Sequence, residues 1–319
     1  MRRIVPALLV ALMVFLPSSC SPKPLSKVVI GVRTANDHSP FYLADKLGFY
    51  RDEGVDVEVK LVPSNTEIIE ALKRGEFQMG AVPVTVAIAA IAEGVPVRIV
   101  AMTGRGSDGL LVRADSGIES IQDLKGKKIA TIRASILDVL LLMALEEAGL
   151  DPHKDVTLVY FSKLGDMISA LKTGQVDASS NTEPFMTQAV RDGWGKILFY
   201  YTAYWENHPC CVVIARNDFA ERYPGVLEKI LRAHVRAVRY ANEHPRETAE
   251  TIVEYLKAFD PDLVEESLSP DKMLISCEFE PDEIKLMAEL MHRYGFIETV
   301  PPEDKLLTLE FLQKALKGR

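Results

Sequence analysis

From residue 27 onward the chain alternates short, β-branched apolar runs with longer stretches in which apolar residues recur every three or four positions. Residues 28–32, 55–62, 77–82 and 97–103 predict strands, and residues 41–53, 67–74 and 85–93 predict helices. This rhythm predicts parallel sheets covered by helices on both faces. Residues 110–113 and 211–215 read as further strands. Beyond residue 218 the pattern turns almost wholly helical. Apolar residues at 226, 227, 230, 231, 235 and 238 form one helical stripe, and Pro245, Pro261, Pro281, Pro301 and Pro302 punctuate further helices beyond it.

The rhythm repeats. Ala71-Leu72-Lys73-Arg74-Gly75 and Ala170-Leu171-Lys172-Thr173-Gly174 stand 99 residues apart, and the same offset aligns Asp56-Val57 with Asp155-Val156 and Ile30 with Ile129. Two lobes on one plan are therefore expected. Residues 28–112 with 212–319 would form lobe 1 and its helical tail, and residues 113–211 would form lobe 2. The chain would cross between them near 110–116 and near 203–212, with the tail packed back on lobe 1. Two crossings make a hinge, and a cleft between hinged lobes is a natural ligand site.

The first 20 residues stand apart from this body. Arg2 and Arg3 precede an apolar stretch from Ile4 to Leu16, and Pro17-Ser18-Ser19-Cys20 closes it. That is the anatomy of a secretory signal. It resembles a lipoprotein signal in which Cys20 is lipidated, although Leu16 sits one place too early. Cleavage near Ser19, retention as an anchor and an ordinary buried N-terminal helix are the alternatives. Residues 21–27 read as a tether.

The whole chain of 319 residues carries a net charge of −8, and losing residues 1–19 would leave −10. An acidic body without basic clusters argues against a nucleic-acid partner. With Cys20 lipidated, three cysteines remain (Cys210, Cys211 and Cys277), too few and too odd for a disulfide framework. Adjacent side chains on a strand point apart, so Cys210 and Cys211 are not expected to pair.

Ordered short motifs then suggest a family. They include Phe41-Tyr42-Leu43-Ala44, Leu47-Gly48-Phe49-Tyr50, Glu53-Gly54-Val55-Asp56-Val57, Gly94-Val95-Pro96-Val97, Asp123-Leu124-Lys125-Gly126, Gly174-Gln175-Val176-Asp177-Ala178 and Glu183-Pro184. In this order they resemble the NitT/TauT-type binding proteins of ABC importers, the nitrate, sulfonate, taurine and thiamine-precursor group. The resemblance implies an α/β type II periplasmic-binding fold. It also implies an extracytoplasmic monomer that binds a small solute by lobe closure, hands it to a membrane permease and needs no cofactor or metal.

Such a fold holds ligand at strand-to-helix turns, where helix N-termini offer free N–H donors. Ser39, with Pro40 behind it, reads as a helix cap after the first strand. Ser64-Asn65-Thr66-Glu67 reads as a capping box, Thr85 opens the helix after the third strand, and Ser135 with Asp138 forms a second box. His38, Ser39, Asn65, Thr85 and Ser135 are thus candidate ligand contacts. For the serines and threonines plain capping is the alternative, and for His38 an ordinary surface turn. Arg105 and Arg133, in turns at the cleft edges, could grip an anion with their guanidinium forks, or be plain surface arginines. By resemblance the turn at Asn181 and Glu183 also lines the cleft, and Glu183 could meet an amino group. Phe41, with Tyr42, Tyr204 and Trp205, could wall a planar ligand or simply fill the core. A sulfonate-like or nitrate-like anion is the reading these arginines favour, and an aromatic thiamine precursor is the alternative.

Two motifs point elsewhere. Gly104-Arg105-Gly106-Ser107-Asp108-Gly109 spells a dinucleotide fingerprint, but an apolar strand-like run stands where a helix is required. His208-Pro209-Cys210-Cys211 could bind metal or act as a nucleophile, yet it opens an apolar strand without a partner at ligand spacing, so a buried inert pair is expected. Thiamine-pyrimidine synthases and chorismate dehydratases share the implied fold. The former carry a denser cysteine cluster, and neither normally carries an export signal.

Overall fold

The computed structural model describes residues 27–255 and 257–318; the expected signal, the lipidation site Cys20 and the tether up to residue 26 lie outside them. Among the described residues eleven strands form two sheets. The strands are β1 (Val28–Val32), β2 (Val57–Leu61), β3 (Met79–Pro83), β4 (Val97–Gly106), β5 (Asp108–Arg113), β6 (Lys128–Thr131), β7 (Thr157–Tyr160), β8 (Ala178–Thr182), β9 (Gly195–Tyr200), β10 (Pro209–Arg216) and β11 (Met273–Leu274). One sheet runs β11-β4-β10-β3-β1-β2, the other β7-β6-β8-β5-β9. This is the α/β type II periplasmic-binding fold.

The repeat is real in three dimensions. Shifting β3 by 99 residues lands on β8, and the same shift carries β1 and β2 onto β6 and β7 within a residue. In each lobe the central strand pairs in parallel with its two neighbours. In each, an antiparallel strand then joins the third, β10 beside β3 and β5 beside β8. The inner strands are buried on both faces, as parallel strands under helices must be: β1, β3, β4 and β10 are almost wholly inaccessible, whereas the edge strands β2 and β7 stay partly exposed.

The first crossing falls earlier than expected. Leu110–Val112 pair with β8 and β9 in the second sheet, so the chain changes lobe at Ser107, and residues 108–112 belong to lobe 2. An apolar run gives a strand but does not say which sheet takes it. The return, between Tyr200 and Pro209, also comes a few residues earlier than the expected 203–212, so Pro209–Cys211 already lie in the lobe 1 sheet. The helix expected over 41–53 also breaks, into Ser39–Lys46 and Phe49–Asp52, at Gly48 with φ +78°.

The tail does more than pack on lobe 1. Helix Pro224–Glu243 lies on helix Ser39–Lys46, and helix Pro281–Arg293 on helix Val84–Ala92. Helix Pro261–Ser267, however, touches helix Phe185–Arg191 of lobe 2, where Arg191 Nε donates to Glu266 Oε2 at 2.7 Å. A second bridge joins Glu146 of lobe 2 to Arg293 at 2.9 Å and to the Tyr294 hydroxyl at 3.0 Å. These pairs are largely solvent-exposed, so each contributes about 1 kcal/mol or less. Together they steady the lobes without locking them.

The glycine fingerprint is a packing device. Gly104 and Gly106 end β4, Gly109 lies in β5, and a strand stands where a dinucleotide helix would begin. A Cβ on Gly104 would come within 2.2 Å of the Asp37 Cβ. Gly104→Ala is therefore expected to cost about 1–3 kcal/mol in chemical denaturation. Gly165→Ala, in a helix with open space around it, should leave stability unchanged or raise it by up to about 1 kcal/mol.

Candidate functional site: a polar cleft at the hinge

The parallel strands of both lobes end in polar turns. Asn36, His38 and Ser39 follow β1, Asn65 follows β2 and Thr85 follows β3. In lobe 2, Thr131 ends β6, Arg133, Ser135 and Asp138 come after it, and Asn181 and Glu183 lie at the end of β8. The hinge joins the two sets. Cys210 Sγ lies 3.4 Å from Asp37 Oδ2 and 3.8 Å from Ser107 Oγ, which is 3.1 Å from Thr182 Oγ1. Contacts thus run from the β1 turn of one lobe, across the hinge, to β8 of the other.

Several of these groups are buried and carry no protein hydrogen-bond partner. They are Asn36 Oδ1, Ser39 Oγ, Asn65 Oδ1 and Thr85 Oγ1 in lobe 1, and Thr131 Oγ1 and Asp138 Oδ1 in lobe 2. A buried polar atom without a partner costs about 1–3 kcal/mol, so these strand ends are candidate ligand contacts; in lobe 2, Thr131 and Asp138 also lie close enough to act on each other.

Capping was the alternative for these residues, and the structure separates the cases. His38, not Ser39, is the N-cap of helix Ser39–Lys46, and Ser39 Oγ caps nothing. Pro83 precedes helix Val84–Ala92, so Thr85 is already inside the first turn with its hydroxyl unused. Ser64 Oγ does accept from Glu67 N at 3.2 Å, so Ser64 and not Asn65 caps this helix, and Asn65 Oδ1 is buried without a partner. Ser135 departs from the expected box. Its hydroxyl donates to the Ile132 carbonyl at 2.6 Å, and Asp138 Oδ2 accepts from the Ala134 amide at 3.0 Å instead. Ala134 reaches that position with φ +58°.

The remaining candidates divide. Asn181 is fully buried and satisfied within its own strand end, accepting from Thr182 N at 2.9 Å. Glu183 accepts from the Tyr200 hydroxyl and from Thr187 N at 3.1 Å; burial holds its carboxyl above the usual range. Burial likewise raises Asp138, to about 6, and lowers His38, so its imidazole is neutral at physiological pH. His38 is not the surface turn that was the alternative, since it is 1% exposed. Phe41 is core, packed 5.0 Å from the His234 ring. Tyr42 stacks on Tyr255 at 4.3 Å, also away from a ligand wall.

Arg105 is engaged in an internal ion pair. Its guanidinium forks onto both Glu283 carboxylate oxygens at 2.8 and 2.7 Å and also donates to the Asn207 carbonyl at 2.7 Å. Strand β4 runs three residues further than its apolar pattern indicates, and this carries Arg105 to the tail side of the hinge. There it borders an open hollow of about 570 Å³ with Thr202, Tyr204, Glu206 and Lys272, away from the orphaned strand-end groups. Arg133 remains exposed over the Tyr160 ring at 5.4 Å and enters no salt bridge among the described residues.

The cysteine pair sits on a β-bulge. The register of β10 against β4 slips on both sides of Cys211, and the bulge brings the two sulfurs to 4.0 Å rather than onto opposite faces. Neither is a poised nucleophile. Its contact with Cys211 and burial push the Cys210 thiol well up. For Cys211 the bond from Cys210 acts downward, but burial and the Asp37 carboxylate outweigh it, to about 12. Behind them His208 Nε2 lies 3.2 Å from Asp108 Oδ2, both buried. Asp37, Asp108 and Thr131 escaped sequence reading as site residues, whereas His208 stood out only as part of the His208-Pro209-Cys210-Cys211 run. For Thr131 the one signal was a polar residue closing an apolar strand.

Two matched α/β lobes, joined by paired crossings and with unsatisfied polar groups at the strand ends of both, are the architecture of a solute-binding protein of the periplasmic-binding type. The chain belongs to the NMT1-like family, whose profile matches residues 21–257. It is 29% identical over 255 residues to a putative aliphatic sulfonates-binding protein of Bacillus subtilis, covering 77% of this chain and 74% of that one. It is 24% identical over 224 residues to the 4-amino-5-hydroxymethyl-2-methylpyrimidine phosphate synthase of Legionella pneumophila, covering 67% and 68%. The periplasmic nitrate-binding protein of Synechocystis superimposes with a TM-score of 0.80 at 16% identity, over 92% of this chain and 89% of that one. Among the described residues no helix is long and apolar enough to cross a membrane.

Asp138 offers a direct test of the cleft's electrostatics. Its folded pKa, about 6, lies above the 3.8 of an unburied aspartate, so its contribution to stability is complete below pH 4 and lost as pH rises through 6. Asp138→Asn should therefore match the wild type near pH 3–4 and exceed it at pH 7–8, by at most about 2–3 kcal/mol, in urea denaturation measured across pH.

Proposed function

We propose that this protein is the extracytoplasmic solute-binding component of an ABC importer, capturing a small anion of the sulfonate, taurine or nitrate kind by lobe closure and catalysing nothing. The observation that carries this reading is the set of orphaned hydroxyl and amide groups on the strand ends of both lobes. A solute touching both sets satisfies them only when the lobes meet, so binding shifts an open–closed equilibrium. Helices Ser39–Lys46, Val84–Ala92 and Ile136–Glu147 begin at these strand ends, where their backbone N–H groups suit an anion. Arg133 is the guanidinium available to it. The same reading makes the protein a monomer, tethered through a lipidated Cys20 and docking on a membrane permease.

A second reading has its own support. Glu183 and Asp138 are carboxyls that burial holds protonated more readily than usual, and such groups pair well with the ring nitrogens and amino group of a pyrimidine. That favours a thiamine pyrimidine precursor. It also keeps open an enzyme like the pyrimidine synthase, against which stand the two protonated, buried thiols.

A thermal-shift screen of residues 27–319 against nitrate, bicarbonate, sulfonates, taurine, thiamine and its pyrimidine precursor separates these readings. A solute at a hundred times its dissociation constant adds about 2.7 kcal/mol of stability. Sulfonate, taurine or nitrate hits that disappear in Arg133→Glu are the expected result. A pyrimidine hit that survives Arg133→Glu would move the assignment to the second reading, and turnover of that hit would overturn the binding-protein reading altogether.

A further inference from the structure

The hinge floor gathers three donors that neither lobe could assemble from one stretch of sequence. Asp37 and His38 come from the turn after β1, and Cys211 comes from the bulge in β10. One carboxylate oxygen, one imidazole nitrogen and the thiol sulfur all lie within 4.8 Å of one another, and all three residues are buried. We propose that Asp37, His38 and Cys211 form a binding site for a borderline-soft divalent cation of the Zn²⁺ class.

Each donor is held as a ligand should be. Asp37 is 6% exposed and forms no salt bridge among the described residues, so its carboxylate lacks a balancing cation where a charge is costly to bury. Its backbone is fixed by the Thr103 hydroxyl, which donates to the Asp37 carbonyl at 2.6 Å, and Gly104 leaves room for its side chain. His38 Nδ1 lies 3.0 Å from both the amide and the carbonyl of Arg33, and Nε2 makes no hydrogen bond among the described residues. The Arg33 amide donates to Nδ1, so a cation at Nε2 would take the place of the ring proton there, and a proton moved to Nδ1 would be accepted by the Arg33 carbonyl, the backbone-buttressed arrangement typical of a metal-bound imidazole. The bulge turns Cys211 toward these two. Cys210, its sulfur 4.0 Å from Cys211 and 3.4 Å from Asp37 Oδ2, borders the same site and is buried with it.

The donor set fits the proposed ion. One thiolate, one imidazole and one carboxylate suit Zn²⁺ or a similar ion better than Mg²⁺ or Ca²⁺, which prefer oxygen. Binding forms the sulfur–metal bond and releases the Cys211 proton to solvent. Three protein ligands leave one position open toward the cleft. If the protein captures an anion, as proposed above, that position would supply the positive charge that Arg105, tied to Glu283, cannot; this consequence rests on that reading, whereas the metal site does not.

Cobalt reports on such a site without any solute present, because a thiolate bound to Co²⁺ gives a strong sulfur-to-metal charge-transfer absorption. Titrating Co²⁺ into the purified protein should produce that band with one equivalent per chain, and Zn²⁺ should bleach it. Cys211→Ser should abolish the band, Cys277→Ser should leave it intact, and His38→Gln should weaken Co²⁺ binding more than tenfold. No thiolate band in the wild type overturns the proposal, and so does a band that persists in Cys211→Ser. Should Cys211→Ser fail to fold, His38→Gln decides: an unchanged cobalt affinity overturns the site. A thermal-shift hit for an anion that is insensitive to chelators would leave the importer reading standing while removing any role for the ion in capture.

Discussion

The passage of the chain from β4 to β5 through Ser107, and its return into β10, is the constraint on which the molecule depends. Each crossing deposits the strand that completes a sheet: β5 pairs antiparallel with β8, and β10 fills the gap between β3 and β4. Neither sheet can form its full set of backbone hydrogen bonds unless the chain has crossed and come back. The lobes are therefore covalently paired at the point where both sheets are most buried. Close approach is needed there, and Gly104 provides it: a single added carbon would collide with Asp37.

That constraint also places the chemistry. Parallel strands with antiparallel partners direct their carboxyl ends to one edge of each sheet, and the double crossing sets the two edges against the same hinge. Of the polar groups left unsatisfied on those edges, Ser39, Asn65, Thr85 and Asp138 stand on the first turns of helices rather than on long loops. The bridges from the tail to lobe 2, Arg191–Glu266 and Glu146–Arg293, are exposed ion pairs. Such pairs break at little cost, so a bound solute's contacts can dominate the open–closed balance.

Charge is distributed in a way that composition conceals. The body is acidic overall, and its hinge floor is acidic too, with Asp37 and Asp108 buried within a strand's reach of two thiols. Of the two arginines that suggested an anion clamp, one is consumed internally by Glu283. The positive potential an anion needs must then come from helix N-termini, from Arg133, or from an ion held at the floor.

Much was legible in the sequence because it is written locally. Strand runs, helical stripes, the 99-residue offset and the turn residues Ser39, Asn65, Thr85 and Ser135 depend on neighbours in the chain, and the fold emerges from their order. What the sequence could not decide is whatever depends on partners far along it. The destination of residues 108–112, the capture of Arg105 by Glu283 and the bulge that turns Cys210 and Cys211 to one side all required the packed sheets. Whether Ser39 and Thr85 are caps or contacts was open for the same reason, since a hydroxyl's role is fixed by what it fails to find nearby. Local periodicity determines the elements; only the tertiary structure, by bringing Asp37 and His38 against Cys211 across the hinge, decides which polar groups meet and which are left for a ligand.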